Sequence, residues 1–254
     1  MKIATWNVNS IRARMERVRP WLEAHAPDLV CLQEIKTTDA DFPYADVEAL
    51  GYRAAVHGQK TYNGVAILSR RPADEVHRRL DGEDTEARFL AARFGDLHLL
   101  NVYVPNGAVV GSDKWAYKLA WLRQLRDYLA AHHRPDERLV LCGDFNVAPE
   151  PRDVARPDAW AESVLFHPEA RRALAELTDW GLVDLLRLHH EGPGPYTWWD
   201  YRNLAFPKND GLRIDHLFAT RPMAERCTDA FVDREARKGP KPSDHAPVVA
   251  VFAD

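Results

Sequence analysis

Asp144 and Asn146 stand two positions apart, directly after Leu139-Val140-Leu141-Cys142-Gly143. The aliphatic run reads as a buried strand, and Gly143 lets the backbone turn or be approached closely. Residues two apart on an extended chain share a side. An acid and an amide would therefore project together from a strand end, where ligand sites of α/β proteins are commonly built. Such a pair suits a divalent cation, a polarised water or a phosphate. A plain Asx turn would also place Asp and Asn there.

Other apolar runs end the same way. Asn7 and Asn9 close the first, Glu34 the second, and Tyr103 and Asn106 the sixth. Asp215 follows Arg213-Ile214, and Asp244-His245 leads into the last run. Each has a structural alternative: Asn7 and Asn9 could cap the next helix, Glu34 could be a surface acid, and Asp215 could pair with Arg213. Together they match the needs of phosphodiester cleavage: a cation on the phosphate, a base for water, donors for the pentacoordinate charge and help for the leaving oxygen. Magnesium takes few protein ligands, mainly carboxylates. Glu34 suits it, with Asp244 or an amide nearby. Asp144 suits a general base oriented by Asn146. His245 suits a phosphate-facing donor if a carboxylate, for which Asp215 is the candidate, fixes its other nitrogen.

The elements that must position these groups are mixed. Strand-like runs fall at 2–8, 28–33, 52–57, 62–69, 87–94, 97–104, 138–143, 212–220 and 247–253. Helical stripes fall at 11–25, 113–133 and 169–180. Gly95-Asp96 reads as a hairpin turn, so the sheets should contain antiparallel pairs. No linker divides the chain and no sequence repeat is evident. The expectation is one compact domain, with two packed sheets and helices outside.

The totals narrow the classes. A chain of 254 residues, 46% hydrophobic, can build a sizeable core. No apolar run is long enough to span a membrane, and the N-terminus lacks signal-peptide features. Cys31, Cys142 and Cys227 lack zinc-ligand spacing, and the first two lie in apolar runs, which points to reduced thiols and a cytoplasmic protein. A net charge of −4 neither supports nor excludes nucleic acid. There is no Gly-x-Ser-x-Gly elbow, P-loop or Gly-x-Gly-x-x-Gly, which argues against acyl transfer and nucleotide-fold chemistry.

With these residues assembled, the chain resembles the endonuclease/exonuclease/phosphatase superfamily, and within it the exonuclease III branch of abasic-site DNA endonucleases. The resemblance rests on Trp6–Arg14, Leu32–Lys36, His57–Lys60, Tyr103–Gly107, Gly143–Asn146, Trp198–Arg202, Gly211–Asp215 and Pro242–Pro247, in family order along the chain. It implies a four-layer α/β sandwich of two mixed β-sheets flanked by helices. It implies Mg2+, with Mn2+ as a substitute, held by Glu34, Asn7 and Asp244. Asp144, His245, Tyr103, Asn146 and Asp215 resemble the catalytic set. The implied partner is double-stranded DNA at abasic sites or 3′ ends, acted on by a monomer. Arg12, Arg14, Lys36, Lys60, Lys118 and Arg213 are phosphate-contact candidates, and Asn106 a substrate contact. Trp198, Leu212 and Ile214 match positions around an extruded abasic sugar. Trp199 reads as core, and His216 as structural or at the rim. Asn9 is aspartate in some relatives of the family; the amide removes one possible ligand of a second metal.

Two other functions use many of the same residues. A superfamily phosphatase or lipid phosphodiesterase would also use Asp144, Asn146, Asp244 and His245. A catalytically silent DNA-binding module is the third reading, against which the complete set of reactive residue types argues. The choice of DNA rests on Trp198 to Asp215.

Overall fold

A computed structural model describes residues 1–82 and 85–253. The first sheet holds β1 (Lys2–Asn7), β2 (Leu29–Gln33), β3 (Arg53–His57) and β4 (Val65–Ser69). The second begins with β5 (Glu75–His77), β6 (Phe89–Phe94), β7 (Leu97–Tyr103) and β8 (Arg138–Asp144). It ends with β9 (Leu182–Asp184) and β10 (Asp215–Thr220), while β11 (Cys227–Val232) and β12 (Val248–Phe252) return to the first. The strand orders are β11-β12-β1-β2-β4-β3 and β5-β6-β7-β8-β10-β9.

The two orders are the same pattern. Each sheet has a central parallel pair, β1–β2 or β7–β8, with antiparallel strands on either side. Each parallel pair is joined by a long helix, α1 (Ile11–His25) in the first half, followed by α2 (Tyr44–Glu48), and α3 (Asp113–His132) in the second. Parallel neighbours need such a crossover. The hairpin β5–β6, from the first half of the chain, completes the second sheet, and β11–β12 completes the first. The fold thus repeats at the level of topology, where the sequence shows no repeat.

Apolar side chains from both sheets meet in the middle, among them Ile3, Cys31, Ile67, Leu99, Val140 and Leu217. The outer faces are covered by α1 and α2 on one side, and by α3 with α5 (Pro168–Thr178) on the other, beyond the one-turn α4 (Pro157–Trp160). This is the expected four-layer sandwich. Cys31, Cys142 and Cys227 are free thiols. No helix among the described residues is long and apolar enough to cross a membrane.

Three strands escaped the periodicity reading. β5 and β9 are too short for a pattern, and β11 carries the polar Thr228 and Asp229 at an edge. In the other direction, the run at 212–220 is a strand only from Asp215. Leu212 instead makes isolated bridges to Val154 and Trp198. The run at 62–69 becomes a strand only at Val65, after left-handed turns at Thr61, Asn63 and Gly64.

Candidate active site

The expected polar residues gather where the C-terminal ends of both parallel pairs meet. β1 and β2 end at Asn7 and Gln33, with Glu34 next; β7 and β8 end side by side at Tyr103 and Asp144. Asp215 opens β10 directly opposite Asp144. The segment 243–247 enters β12 beside the end of β1.

Local backbone geometry frees these side chains. Ser10, rather than Asn7 or Asn9, caps α1, its hydroxyl accepting from the Ala13 N–H at 3.3 Å. Asn9, Glu34, Lys36 and Asn146 all adopt left-handed backbone conformations, with φ of 45°, 49°, 52° and 50°. Such φ values are uncommon for residues other than glycine and collect at functional sites. At Gly143 a side chain is excluded outright, since a Cβ would lie 1.9 Å from the Val102 carbonyl oxygen.

Asp144 is at the centre. Its Oδ2 accepts from Asn7 Nδ2 at 2.8 Å, and its Oδ1 from the Asn146 backbone N–H at 2.9 Å. The second bond is an Asx turn, so the structural and functional readings of this pair hold together. It is that turn, not strand alternation, that orients Asn146. The Asn146 amide donates to Val104 O at 2.9 Å and its Oδ1 accepts from Asn106 Nδ2 at 3.2 Å. Asn7 Nδ2 also donates to Glu34 Oε1 at 2.9 Å, tying both carboxylates together.

His245 Nδ1 lies 2.8 Å from Asp215 Oδ2, and its Nε2 lies 3.8 Å from Asp144 Oδ2. Burial disfavours the imidazolium, but the Asp215 and Asp144 carboxylates outweigh it and push His245 up to about 10. Burial, followed by the charge of Asp215, raises Asp144 to about 7. The imidazolium is therefore held by Asp215, with the Asp144 carboxylate facing its other nitrogen. Tyr103 is held well above its ordinary value, first by burial and then by the charges of Glu34 and Asp144, so it is a neutral donor, and its hydroxyl bonds Glu34.

Glu34, Asp144 and His245 each bring a ligand atom within 4.8 Å of the others. Together the set is dominated by hard carboxylate oxygens, which suits magnesium, calcium or manganese better than a soft metal. Lys36 Nζ balances part of the charge, 2.9 Å from Glu34 Oε2 and 2.7 Å from Asn9 Oδ1.

Not every expected residue plays its expected part. Asn7 turns its NH2 group to the carboxylates while its Oδ1 accepts from the Asn9 N–H at 3.0 Å, so it presents no ligand atom there. Asp244 lies outside the three-residue group. Its oxygens accept from Asn9 Nδ2 and Trp198 Nε1, each at 3.0 Å. Burial would raise Asp244, but His245 and these donors prevail and keep it below the usual carboxylate range.

The substrate expectations need larger corrections. Lys118 is fully buried, and its ammonium donates to the carbonyls of Asn106, Asn146 and Val164 at 3.1, 2.6 and 2.7 Å. It is a strut between loops rather than a phosphate contact. Arg213 is buried between Asp153 and Asp184, at 2.6 and 2.8 Å, and Arg187 also pairs with Asp153. Leu212 and Ile214 are buried in the core beneath α3 and α5. Helix and loop packing absorbed what the local sequence offered as pocket wall. Trp198 does remain half-buried beside Asp244, edge-on to Trp160 with centroids 5.8 Å apart. Arg12 and Lys60 are exposed, Arg14 and Lys36 half-buried. Trp199 is core, as expected, and His216 is buried with Nε2 2.8 Å from Val147 O.

Gln33 and Asn101 were missed. Asn101 crosses from β7 to donate to Leu32 O and Ala66 O at 3.0 and 2.9 Å, and accepts from Gln33 Nε2 at 2.7 Å. A polar residue within each strand's apolar run was the only available signal.

The family model for the endonuclease/exonuclease/phosphatase family matches residues 4–245. The chain belongs to this family. Among curated proteins, exodeoxyribonuclease III of Haemophilus influenzae is 36% identical, the match covering 99% of this chain and all of that one. Among solved structures, an AP endonuclease from Archaeoglobus fulgidus superposes with a TM-score of 0.98 at 44% identity, over the full length of both. A 3′ phosphatase from Neisseria, bound to a product DNA hairpin, gives 0.96 at 40%, also over the full length of both.

Proposed function

We propose that this chain is a magnesium-dependent DNA-repair nuclease of exonuclease III type, acting on double-stranded DNA at abasic sites and at blocked or free 3′ ends. The observation that carries the mechanism is the Asp144 carboxylate, bridged to Glu34 by Asn7 and facing His245. The supporting comparison is the full-length likeness to exodeoxyribonuclease III and to an AP endonuclease.

Glu34 would hold the cation beside Asp144 and His245, and the cation when bound would neutralise phosphate charge and favour the attack. Asp144 accepts the proton of the attacking water. Its affinity for protons, raised to about 7, suits a base working near neutrality. His245, kept as the imidazolium by Asp215, donates to a non-bridging phosphate oxygen as charge grows in the transition state. The second amide hydrogens of Asn146 and Asn106 provide further donors around that phosphate, and Tyr103 stands beside it bonded to Glu34. In-line attack places the leaving oxygen on the side away from Asp144, where solvent water supplies its proton. Trp198, with Trp160, offers an aromatic wall next to Asp244 for a sugar or base.

A panel of three oligonucleotide duplexes tests this reading: one with an abasic site, one with a 3′-phosphate and one intact, each with Mg2+ and with EDTA. Cleavage 5′ of the abasic site or release at the 3′ end, abolished by EDTA, is expected. Faster hydrolysis of a soluble phosphoester than of every duplex would instead favour the phosphatase reading, and binding without cleavage the silent module.

A further inference from the structure

At the opposite ends of β7 and β8 lies a separate cluster of potential ligands. His98 sits near the start of β7, His133 follows the last residue of α3, and Glu137 directly precedes β8. Tyr103 and Asp144 lie at the far ends of these strands, roughly 17 Å from His98 at the rise of a parallel strand.

His133 Nδ1 lies 3.2 Å from Glu137 Oε2, and His98 Nε2 lies 4.0 Å from the same oxygen. All three ligand atoms fall within 4.8 Å of one another. Ligands bound tetrahedrally at zinc distances stand roughly 3.3 Å apart, so only a small closure of His98 would complete the geometry. The 4.0 Å contact is too long for a hydrogen bond. The imidazole rings are 5.0 Å apart and steeply inclined, so they do not stack face to face. The side chains are 29%, 8% and 31% exposed, sheltered but reachable. His98 and His133 line a cavity of about 270 Å³ that His77 and His132 also line. Nearby, Asp81 pairs with His132 at 2.6 Å, while Glu75 is taken up by Arg93 at 2.7 Å, and Arg79 and Arg93 also line the cavity.

We propose that His98 Nε2, His133 Nδ1 and Glu137 Oε2 form a second metal site, for a divalent ion of the zinc class. Two imidazoles and a carboxylate with one open position are a zinc-type donor set, unlike the oxygen-rich catalytic cluster. A bound ion would pin the end of α3 to the starts of β7 and β8, the strands that carry Tyr103 and Asp144.

The test uses the full chain, stripped of metal and kept in excess Mg2+, titrated with Co2+. One equivalent should bind with the visible absorption of nitrogen-coordinated, tetrahedral cobalt, and Zn2+ should displace it. His98→Asn and Glu137→Gln should each weaken binding at least tenfold while circular dichroism and Mg2+-dependent DNA cleavage stay unchanged. Glu34→Gln should keep the band. Should His98→Asn fail to fold, Glu137→Gln gives the reading. Absence of the band in wild type, its persistence in a folded variant of the cluster, or its loss in Glu34→Gln would overturn the assignment.

Discussion

Asp144 gathers its properties from neighbours that lie far away in sequence. Asn7 and the Asn146 N–H hold its oxygens, Asp215 faces it from β10, and His245 lies 3.8 Å away. Asp144→Asn keeps the size of the side chain, so it should fold yet lose about 10³-fold in DNA cleavage, within the range for loss of a general base. Substantial residual cleavage in a single-turnover assay would remove Asp144 from the proton step. Lys118 separates two roles. As a strut between the Asn106, Asn146 and Val164 loops, its replacement in Lys118→Met should cut kcat about 10–100-fold by misplacing the loops. It should leave the salt dependence of DNA binding unaltered, whereas loss of a phosphate contact would lower that slope by about one. His245 supplies a pH signature in the chelator-treated protein. Its proton affinity is raised on folding, so its stabilisation is complete below about pH 6.5, its unfolded value, and is lost as pH climbs to about 10. Asp144, also raised, makes its corresponding change below about 7. Urea midpoints between pH 7 and 10 therefore isolate His245, and Asp215→Asn should flatten the decline relative to wild type. Lys118, which burial pulls down to about 7, contributes in the opposite direction in both proteins and cancels from that comparison. Equal slopes in the two proteins would show that Asp215 does not sustain the imidazolium.

At the scale of elements, strand ends carry the site because both parallel pairs stop at one end of the sandwich. The long strands and helices were legible in the sequence. α1 and α3 kept the expected spans to within a residue, and the Gly95-Asp96 hairpin joins β6 to β7 as read. Short edge strands were not, because three residues cannot display a period. The 212–214 run failed for a different reason: its apolar residues are buried, but by bridges to Trp198 and Val154 rather than by a ladder. Gly143 belongs to this scale. Gly143→Ala would force a Cβ onto the Val102 carbonyl at a positive φ, on the order of 3 kcal/mol of lost stability. Denaturant unfolding should register that loss, together with reduced cleavage as β8 moves Asp144 away from Tyr103. A neutral substitution would mean that the two strands can separate without cost.

At the scale of the molecule, two similar half-folds exchange hairpins, so neither sheet is built from one half alone. The interface between sheets is mostly apolar, with Asn101 and Gln33 as polar stitches beneath the site. Asn101→Leu removes three buried hydrogen bonds, each worth about 1 kcal/mol. We expect a total loss of about 3 kcal/mol, with KM for DNA little altered and kcat reduced as the sheets shift. An unchanged urea midpoint would show that the sheets dock by apolar contact alone.

The sequence by itself determined the class of fold, the reactive residue types and their order along the chain. Those follow from local periodicity and from acids, amides and histidine placed after apolar runs, which any folded arrangement must carry at strand ends. Only the tertiary structure decided which of them meet and what each is free to do. It brought Glu34, Asp144 and His245 together from three distant segments, turned the amide nitrogen of Asn7 towards the carboxylates and withdrew Lys118, Arg213, Leu212 and Ile214 into the interior. Charge, hydrogen bonding and burial depend on neighbours remote in the chain, and a lysine in a catalytic-looking segment reads the same whether it faces a phosphate or three carbonyls.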